Sequence, residues 1–584
     1  MNHPRITLIS RLNVNRALLL LIALLVSGGV ALQAQNKDST DTAPGVNTSP
    51  STAPAAAPAP VASTDSAAPA PNLLSNGNFE TAGADPSWPD NWGKADGITY
   101  QTDNGKHFLR LVQQKPGTML MAYREMGIPA ETKGLEIVIR YRTTGITVGT
   151  SNWFDARTIM HLLDSSRKQM GPDPRPIIFA KEAPEWTSVT ERFVVPSGAT
   201  TLQLMPALFQ VAAGTLDLAE IRITPLSDDD AKALTDAASA ADQKQTDEKA
   251  AIAKDLALPA TTPELKVSGN KLLKADGTDA WLQGVNVCSL EWAADGNNVL
   301  WSIRVALNDW KANCIRLPVN NDKWFGRGTD QTPGEASQNA YRSLVDDAVK
   351  LAASKGAYIV LDLHRFSAPD AGVIEFWKDA AARYKNNPAV LFDIFNEPTG
   401  TTWDVWRNGG DVEKKEKDKP TTTFHSPGMQ AVVDAVRSTG AKNIIIAGGL
   451  DWAYDDSGIL KGYALNDKTG NGIMYSVHVY NWKTDWQHKF LDLADKYPLF
   501  LGECGADINK MSFIPASAQE DPYTWVPDLL GLIQKYKLNW TGWSFHTSAT
   551  PDLLSNWNYD PTPYWGAFAK DALHGKQFEL KKLR

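Results

Sequence analysis

From about residue 265 onward the chain repeats one pattern: a short, nearly uninterrupted apolar run followed by a polar stretch with helical spacing. Eight runs can be read: WLQGVNV, NCIRLPV, AYIVLDLH, VLFDIFNEP, NIIIAGG, IMYSVHVY, PLFLGECG and NWTGWSFH. A strand with one wet face alternates polar and apolar residues, so a run that does not alternate has to be covered on both faces. Segments such as YRSLVDDAVKLAASKG and GMQAVVDAVRSTG supply the covering helices. Eight βα units in roughly 300 residues predict an α/β fold of one kind, a closed (β/α)8 TIM barrel, here over residues 263–584. The hairpin-like LKVSGNKLLKADGTDAWL before the first run is placed to close its bottom.

The 584 residues exceed what one core holds, and the remainder divides by texture. Residues 1–34 read as an export signal: Arg5, Arg11 and Arg16, the apolar run ALLLLIALLV, then small residues with cleavage expected after Ala31 or Ala34. The run is short for a membrane span, so the chain is expected to be secreted or periplasmic, with no stable membrane contact beyond that signal. Residues 35–71, rich in Ala, Pro, Ser and Thr, cannot bury enough surface to offset their ordering entropy and read as a disordered linker. Residues 72–226 hold short alternating runs (LEIVIRYRTT, TSVTERFVVPSG, TTLQLMPALF, TLDLAEIRITPL) that predict an all-β, jelly-roll-like sandwich. Residues 227–262 are rich in Ala, Lys, Asp and Gln and read as a charged, partly helical spacer.

The opening NLLSNGNFE, the pair Trp88 and Trp92 and the closing LDLAEIRI resemble carbohydrate-binding modules appended to secreted glycanases. The resemblance implies a glycan-binding sandwich, and a structural calcium held by Asn78, Glu80 and Asp217. Trp88 and Trp92 are expected to pack in the core or at an edge rather than to serve as sugar platforms. Trp153, in the loop-like TSNWFDAR, is the better sugar platform. A spacer or dimerisation sandwich stays open as the alternative.

Composition excludes more than it selects. A net charge of −8 with no evident basic face argues against nucleic acid as a partner. Three cysteines (Cys288, Cys314, Cys504), all in apolar runs, cannot make a disulfide framework and read as buried thiols.

The C-terminal ends of barrel strands face the active site of such folds. Here those ends carry Arg316, His364, Asn396 with Glu397, His478 with Tyr480, Glu503, and Trp543. Glu397 ends the fourth run and Glu503 ends the seventh, on opposing sides of the barrel mouth. Two carboxyls facing each other across a cleft are what glycoside hydrolysis requires. Side chains alternate along a strand, so His478 and Tyr480 share a face, as do Asp362 and His364, and Asp393 and Glu397. Asp362 and Asp393 lie a layer deeper and read as supports.

Asn-Glu-Pro in LFDIFNEP, His-x-Tyr in SVHVYNW and Gly-Glu in FLGECG, in that order, make the region from 265 resemble glycoside hydrolase family five. The resemblance implies a retaining double displacement with Glu397 as acid/base and Glu503 as nucleophile. It places Arg316, His364, Asn396, His478, Tyr480 and Trp543 around the substrate, with no cofactor and no metal. Asn396 would bind the sugar 2-hydroxyl, and Trp543 would offer a flat face to the ring. LFDIFNEPTG is most similar to the cellulase branch, so endo-β-1,4-glucan leads as substrate, with β-mannan, xyloglucan and mixed-linkage glucan open. The polar, Lys-rich stretch Thr399–Pro427 is expected to form a flap beside the cleft. Trp324, Trp403, Trp406, Trp452, Trp482 and Trp486 follow strands, and half are expected merely to pack loops. A metal-dependent barrel hydrolase using His364, Glu397, His478 and Glu503 would want a His pair ending the first strand, and GVNVCSLEW has none. A non-catalytic carbohydrate-binding protein with a decayed barrel would leave catalytic positions empty, and none is.

Overall fold

The computed structural model describes residues 71–151, 153–414, 420–511, 514–515 and 517–584. The export signal and all but the last residue of the Ala/Pro/Ser/Thr linker lie outside the described residues. Two compact units are present, one ending at Ala257 and the other beginning at Leu258.

The second unit contains a closed barrel of eight parallel strands. They are β1 (Gln283–Asn286), β2 (Cys314–Val319), β3 (Tyr358–Leu363), β4 (Val390–Asp393), β5 (Ile445–Gly448), β6 (Ile473–Tyr480), β7 (Leu499–Gly505) and β8 (Asn539–Gly542). Each lies within one of the eight apolar runs, in order, and β8 closes on β1 with Trp540 opposite Gln283. Every residue of β2, β3, β4, β5, β7 and β8 is buried, the consequence of cover on both faces. The helix Glu335–Ser354 shows how that cover is made: Tyr341, Val345, Ala348, Val349 and Ala352 are its buried stripe. Asp370 and Asp521 cap the helices Ala371–Tyr384 and Pro522–Tyr536 by accepting from backbone N–H groups of the first turn. A three-stranded sheet (Leu265–Ser268, Lys271–Lys274, Asp279–Ala280) precedes the barrel. Its Leu265 and Leu272 share one core cluster with Cys314, Tyr358, Met474 and Phe500, so it plugs the N-terminal end of the barrel.

Two irregularities position the site. β4 stops at Asp393, and Glu397–Pro398 instead pair with Phe366–Ser367 beyond β3. The backbone changes partner there: Ile394 N–H bonds to Ile446 on β5, whereas Asn396 N–H bonds to Leu363 on β3. Simple alternation therefore does not run from Asp393 to Glu397. In β7 the register with β6 shifts between Ser476 and His478, which sets Glu503 opposite His478. Gly502 sits in that bulge because a Cβ would lie 2.5 Å from Ser476 Oγ.

After Glu397, the helix Trp403–Asn408 is capped by Thr402, and Gly410–Lys414 pairs antiparallel with Thr422–Ser426. Where a flap is expected there is, in the described part, a helix and a hairpin; residues 415–419 lie outside it.

The first unit is a sandwich of two antiparallel sheets. One runs Ile98–Asp103, Lys106–Val112, Ala213–Pro225, Gly134–Thr147, Ala183–Val194; the other is built on Thr201–Leu208 and Ala156–Leu163. Leu109, Ile137, Ile139 and Leu216 from the first meet Met160, Leu162, Leu202 and Leu204 from the second in one core. Trp88 and Trp92 are buried, at 7% and 5% exposure, and Trp153 is 52% exposed. The calcium expectation fails on charge. Asp217 is gripped by Arg110 (2.8 Å) and Arg142 (2.6 Å), and Glu80 pairs with His107 at 2.9 Å. Two guanidinium groups leave no place for a divalent cation at Asp217. Where a partly helical spacer is expected, one helix runs unbroken from Asp228 to Leu256. Ser227 caps it, and three aspartates in its first turn complement the helix dipole. Among the described residues, no helix is long and apolar enough to cross a membrane.

Gly284 on β1 tests the closeness of the barrel strands, because a Cβ there would lie 1.7 Å from the Cys314 carbonyl oxygen on β2. Gly284→Ala is expected to destabilise the barrel by about 3 kcal/mol or more, and Gly127→Ala, which meets nothing, by less than about 0.5 kcal/mol. Chemical denaturation of the two variants checks this, and equal effects would contradict the barrel packing.

Candidate active site

Arg316 leaves β2 fully buried, and its guanidinium is the hub of the barrel mouth. Nε donates to Asp393 Oδ2 (2.9 Å), Nη1 to Glu503 Oε1 (2.9 Å) and to Asn286 Oδ1 (3.0 Å), and Nη2 to Asn396 Oδ1 (2.7 Å). Nη2 also lies 3.1 Å from Asp362 Oδ1. Burial works against the charged guanidinium, but the acids around it, Asp362 first, outweigh burial and hold the arginine firmly protonated.

Glu503 thus has one oxygen on Arg316; the other accepts the Tyr480 hydroxyl at 2.5 Å. Both contacts fix the orientation of the carboxyl. Glu397 stands across from it, its side chain 14% exposed, with Oε1 2.9 Å from His478 Nδ1. The same nitrogen is 3.5 Å from Glu503 Oε2, so His478 sits between the two carboxyls. Burial and then the charge of Glu503 raise the pKa of Glu397 well above the ordinary carboxyl range. Burial lowers the pKa of His478 and holds it neutral. His364 is likewise pushed down, to about 4, by burial, and its Nδ1 rests 2.8 Å from Asp362 Oδ2. A carboxyl whose pKa is raised therefore faces a carboxyl whose two oxygens both accept from donors.

Rings form a continuous band beside these groups. Trp543 stacks on His364 (5.6 Å, 14°), Phe366 meets the edge of His364 (5.3 Å), and Trp452 lies 6.0 Å from Phe366. Trp482 stacks on Tyr480 at 4.9 Å. Of the six loop tryptophans, Trp324, Trp406 and Trp486 are buried packing, whereas Trp403, Trp452 and Trp482 are partly exposed.

All eight residues singled out at the strand ends are thus brought together. Asn286 and Phe366 were missed. Asn286 is one of two polar side chains inside the first run, with Gln283, and that was its only signal. Phe366 carries none in sequence, because only the pairing of Phe366 with Glu397 brings it to the site.

Glu397, His478 and Glu503 offer ligand atoms within 4.8 Å of one another, close enough to surround a cation. Yet the nearest His478 nitrogen and both Glu503 oxygens already have partners, which favours a carboxyl pair over a metal centre. A cavity of about 480 Å³ lies elsewhere, among Glu264, Lys385, Leu391 and Asn443 near the N-terminal ends of β4 and β5. None of the groups above lines it.

Residues 273–549 match the cellulase family (glycosyl hydrolase family 5). Endoglucanase A of Butyrivibrio fibrisolvens is 28% identical over 254 residues, 41% of this chain and 52% of that protein. A cellulase of Thermoanaerobacterium is 24% identical over 51% of this chain and 74% of its own length. The chain thus spans between about half and three quarters of the length of these relatives. A β-glucanase from Saccharophagus degradans superposes with a TM-score of 0.43 at 23% identity, covering 54% of this chain and 94% of that one.

The proton on Glu397 is held partly by the charge opposite. Glu503→Gln removes that charge, so the titration of Glu397 should move to lower pH. Carbon-13 NMR of glutamate-labelled protein would follow it, and an unmoved titration would mean that Glu503 does not act on Glu397 electrostatically.

Proposed function

We propose, from a chain whose residues 273–549 are a catalytic domain of glycosyl hydrolase family 5, that the protein is a retaining endo-β-1,4-glucanase. The observation that carries this reading is the pair of carboxyls with unlike surroundings, oxygens of the two lying within 4.8 Å. Retaining enzymes keep their carboxyls about 5–5.5 Å apart, and inverting ones leave about 6.5–9.5 Å for a water.

Each group then has a task. Glu503, aligned by Arg316 and Tyr480, attacks the anomeric carbon, while Glu397 protonates the departing glycosidic oxygen. The glycosyl ester that forms is neutral, so the charge that raised the pKa of Glu397 is gone. Glu397 then takes the proton of an incoming water, which releases the sugar with its configuration kept. Asn396 Nδ2, buried and without a partner among the described residues, is the donor for the 2-hydroxyl. His478 orients both carboxyls, and Trp543 on His364 offers its face to the ring being cleaved. The aromatic band from Trp452 to Trp543 suits a long, flat β-linked chain better than a single sugar. The endoglucanase names of the relatives favour glucan over mannan.

Two measurements test this. On a natural glucan, Glu397→Ala should lose about 10²–10⁴-fold in kcat/KM, yet still be glycosylated by a substrate with an acidic phenol leaving group. Its intermediate should accumulate, and azide should speed turnover. Glu503→Ala should form no intermediate, and azide should give a product of inverted configuration. The opposite pairing of outcomes would swap the roles. Reducing-end release from β-mannan but not from soluble cellulose derivatives would replace the glucan reading.

The sandwich is read as binding the same polysaccharide through Trp153. That indole rests on Phe154 (4.3 Å) and Phe209 (5.6 Å), so it is held rigid while its surface stays open. In affinity gels containing soluble glucan, Trp153→Ala should run faster than the unaltered chain when both carry Glu503→Gln. Equal migration would leave the spacer or dimerisation reading.

A further inference from the structure

Beneath the catalytic pair, three carboxylates meet one guanidinium. Asp362, Asp393 and Glu503 all contact Arg316, and none of the four is more than 5% exposed at its side chain. Were all three acids ionised, the cluster would bury a net charge of −2, at a cost no single guanidinium offsets. Asp362 and Asp393 are also register partners on adjacent strands, so two like charges would stand side by side.

The contacts show which acid is the odd one. Glu503 has Arg316 on one oxygen and Tyr480 on the other. Asp362 has His364 Nδ1 on Oδ2, and its Oδ1, though it too lacks an aligned hydrogen bond, lies 3.1 Å from Arg316 Nη2, so both of its oxygens face a polar hydrogen. Asp393 gives Oδ2 to Arg316 Nε, but its Oδ1 is buried and has no partner. A bare anionic oxygen sealed from water costs more than a hydroxyl in the same place. The groups facing Asp393 are Arg316 from β2, Asp362 backed by His364 from β3, and Glu503 from β7; β5 places Ile446 opposite it.

We propose that Asp393 works as a neutral carboxylic acid, a positioning residue that fixes the rotation of Arg316 without drawing on its charge. Its Oδ2 accepts from Nε, which turns the fork so that Nη1 meets Glu503 and Nη2 meets Asn396. The positive charge is then shared by two anions, Asp362 and Glu503, rather than three. Burial raises the proton affinity of both aspartates. The inference rests on Glu503 as nucleophile only for its kinetic consequence.

Neutron diffraction from perdeuterated wild-type crystals at mildly acidic pD tests the proton itself. Deuterium is expected on Asp393 Oδ1 and on neither Asp362 nor Glu503. A bare Asp393 would overturn the proposal, whatever the reaction proves to be. The kinetic arm measures labelling by a fluorinated cellobioside with a dinitrophenolate leaving group, which needs no proton from Glu397. Asp393→Asn keeps a carbonyl for Nε, whereas Asp393→Leu removes it and Asp362→Asn removes a true anion. Labelling is expected within about 5-fold of wild type for Asp393→Asn, and slowed about 100-fold or more for the other two. Loss in Asp393→Asn equal to that in Asp393→Leu would show that the charge is needed, and would also overturn it. Deuterium on Asp393 with no labelling in wild type would leave the proton in place and refute the nucleophile instead.

Discussion

A buried guanidinium can be kept in a protein only if its charge and its N–H groups are met together, and Arg316 is met by five residues from four strands and the extension of one of them. Asn286 comes from β1, Asp362 from β3, Asp393 from β4, Asn396 from just beyond β4, and Glu503 from β7. Each contact is possible only when those strands hold their register around a closed barrel. The barrel in turn presents Glu503 in an orientation that nothing on β7 alone would set. Fold and site are therefore one problem in electrostatics: the charges that ready the carboxyl pair are also the ones whose misplacement would cost the barrel most.

The contrast between Glu397 and Glu503 follows from that hub. Glu503 is tied to Arg316 at one oxygen and to Tyr480 at the other. Glu397 is out of reach of the guanidinium's donors, close to the Glu503 charge and beside a neutral His478. Two residues of one chemical type thus acquire opposite behaviour from their surroundings alone.

Much of this was legible in the sequence because strands buried on two faces leave an unmistakable apolar run, and because polar residues at the ends of such runs have few reasons to be there. The eight strands and the six polar or aromatic strand ends followed from that logic. What failed depends on contacts between distant segments. The break after Asp393 comes from a change of hydrogen-bond partner between β5 and β3, which no local pattern encodes. Asp217 looked like a calcium ligand only because Arg110 and Arg142, far from it in sequence, were not yet its neighbours. The helix Asp228–Leu256 has two buried residues, Ala231 and Asp255, so it lacks the stripe that marks a packed helix, although its caps and composition suffice for an unbroken one.

The two carboxyls differ, too, in what carries them. Glu503 lies inside a barrel strand, locked by a bulge that Gly502 makes room for, whereas Glu397 hangs on a two-residue ladder with Phe366, in the loop that follows β3. One is part of the chassis and the other is mounted on an adjustable arm. Sequence drift in the loop after β3 would accordingly shift Glu397 against a fixed Glu503, changing the spacing of the two carboxyls while the surroundings of Glu503 stay as they are.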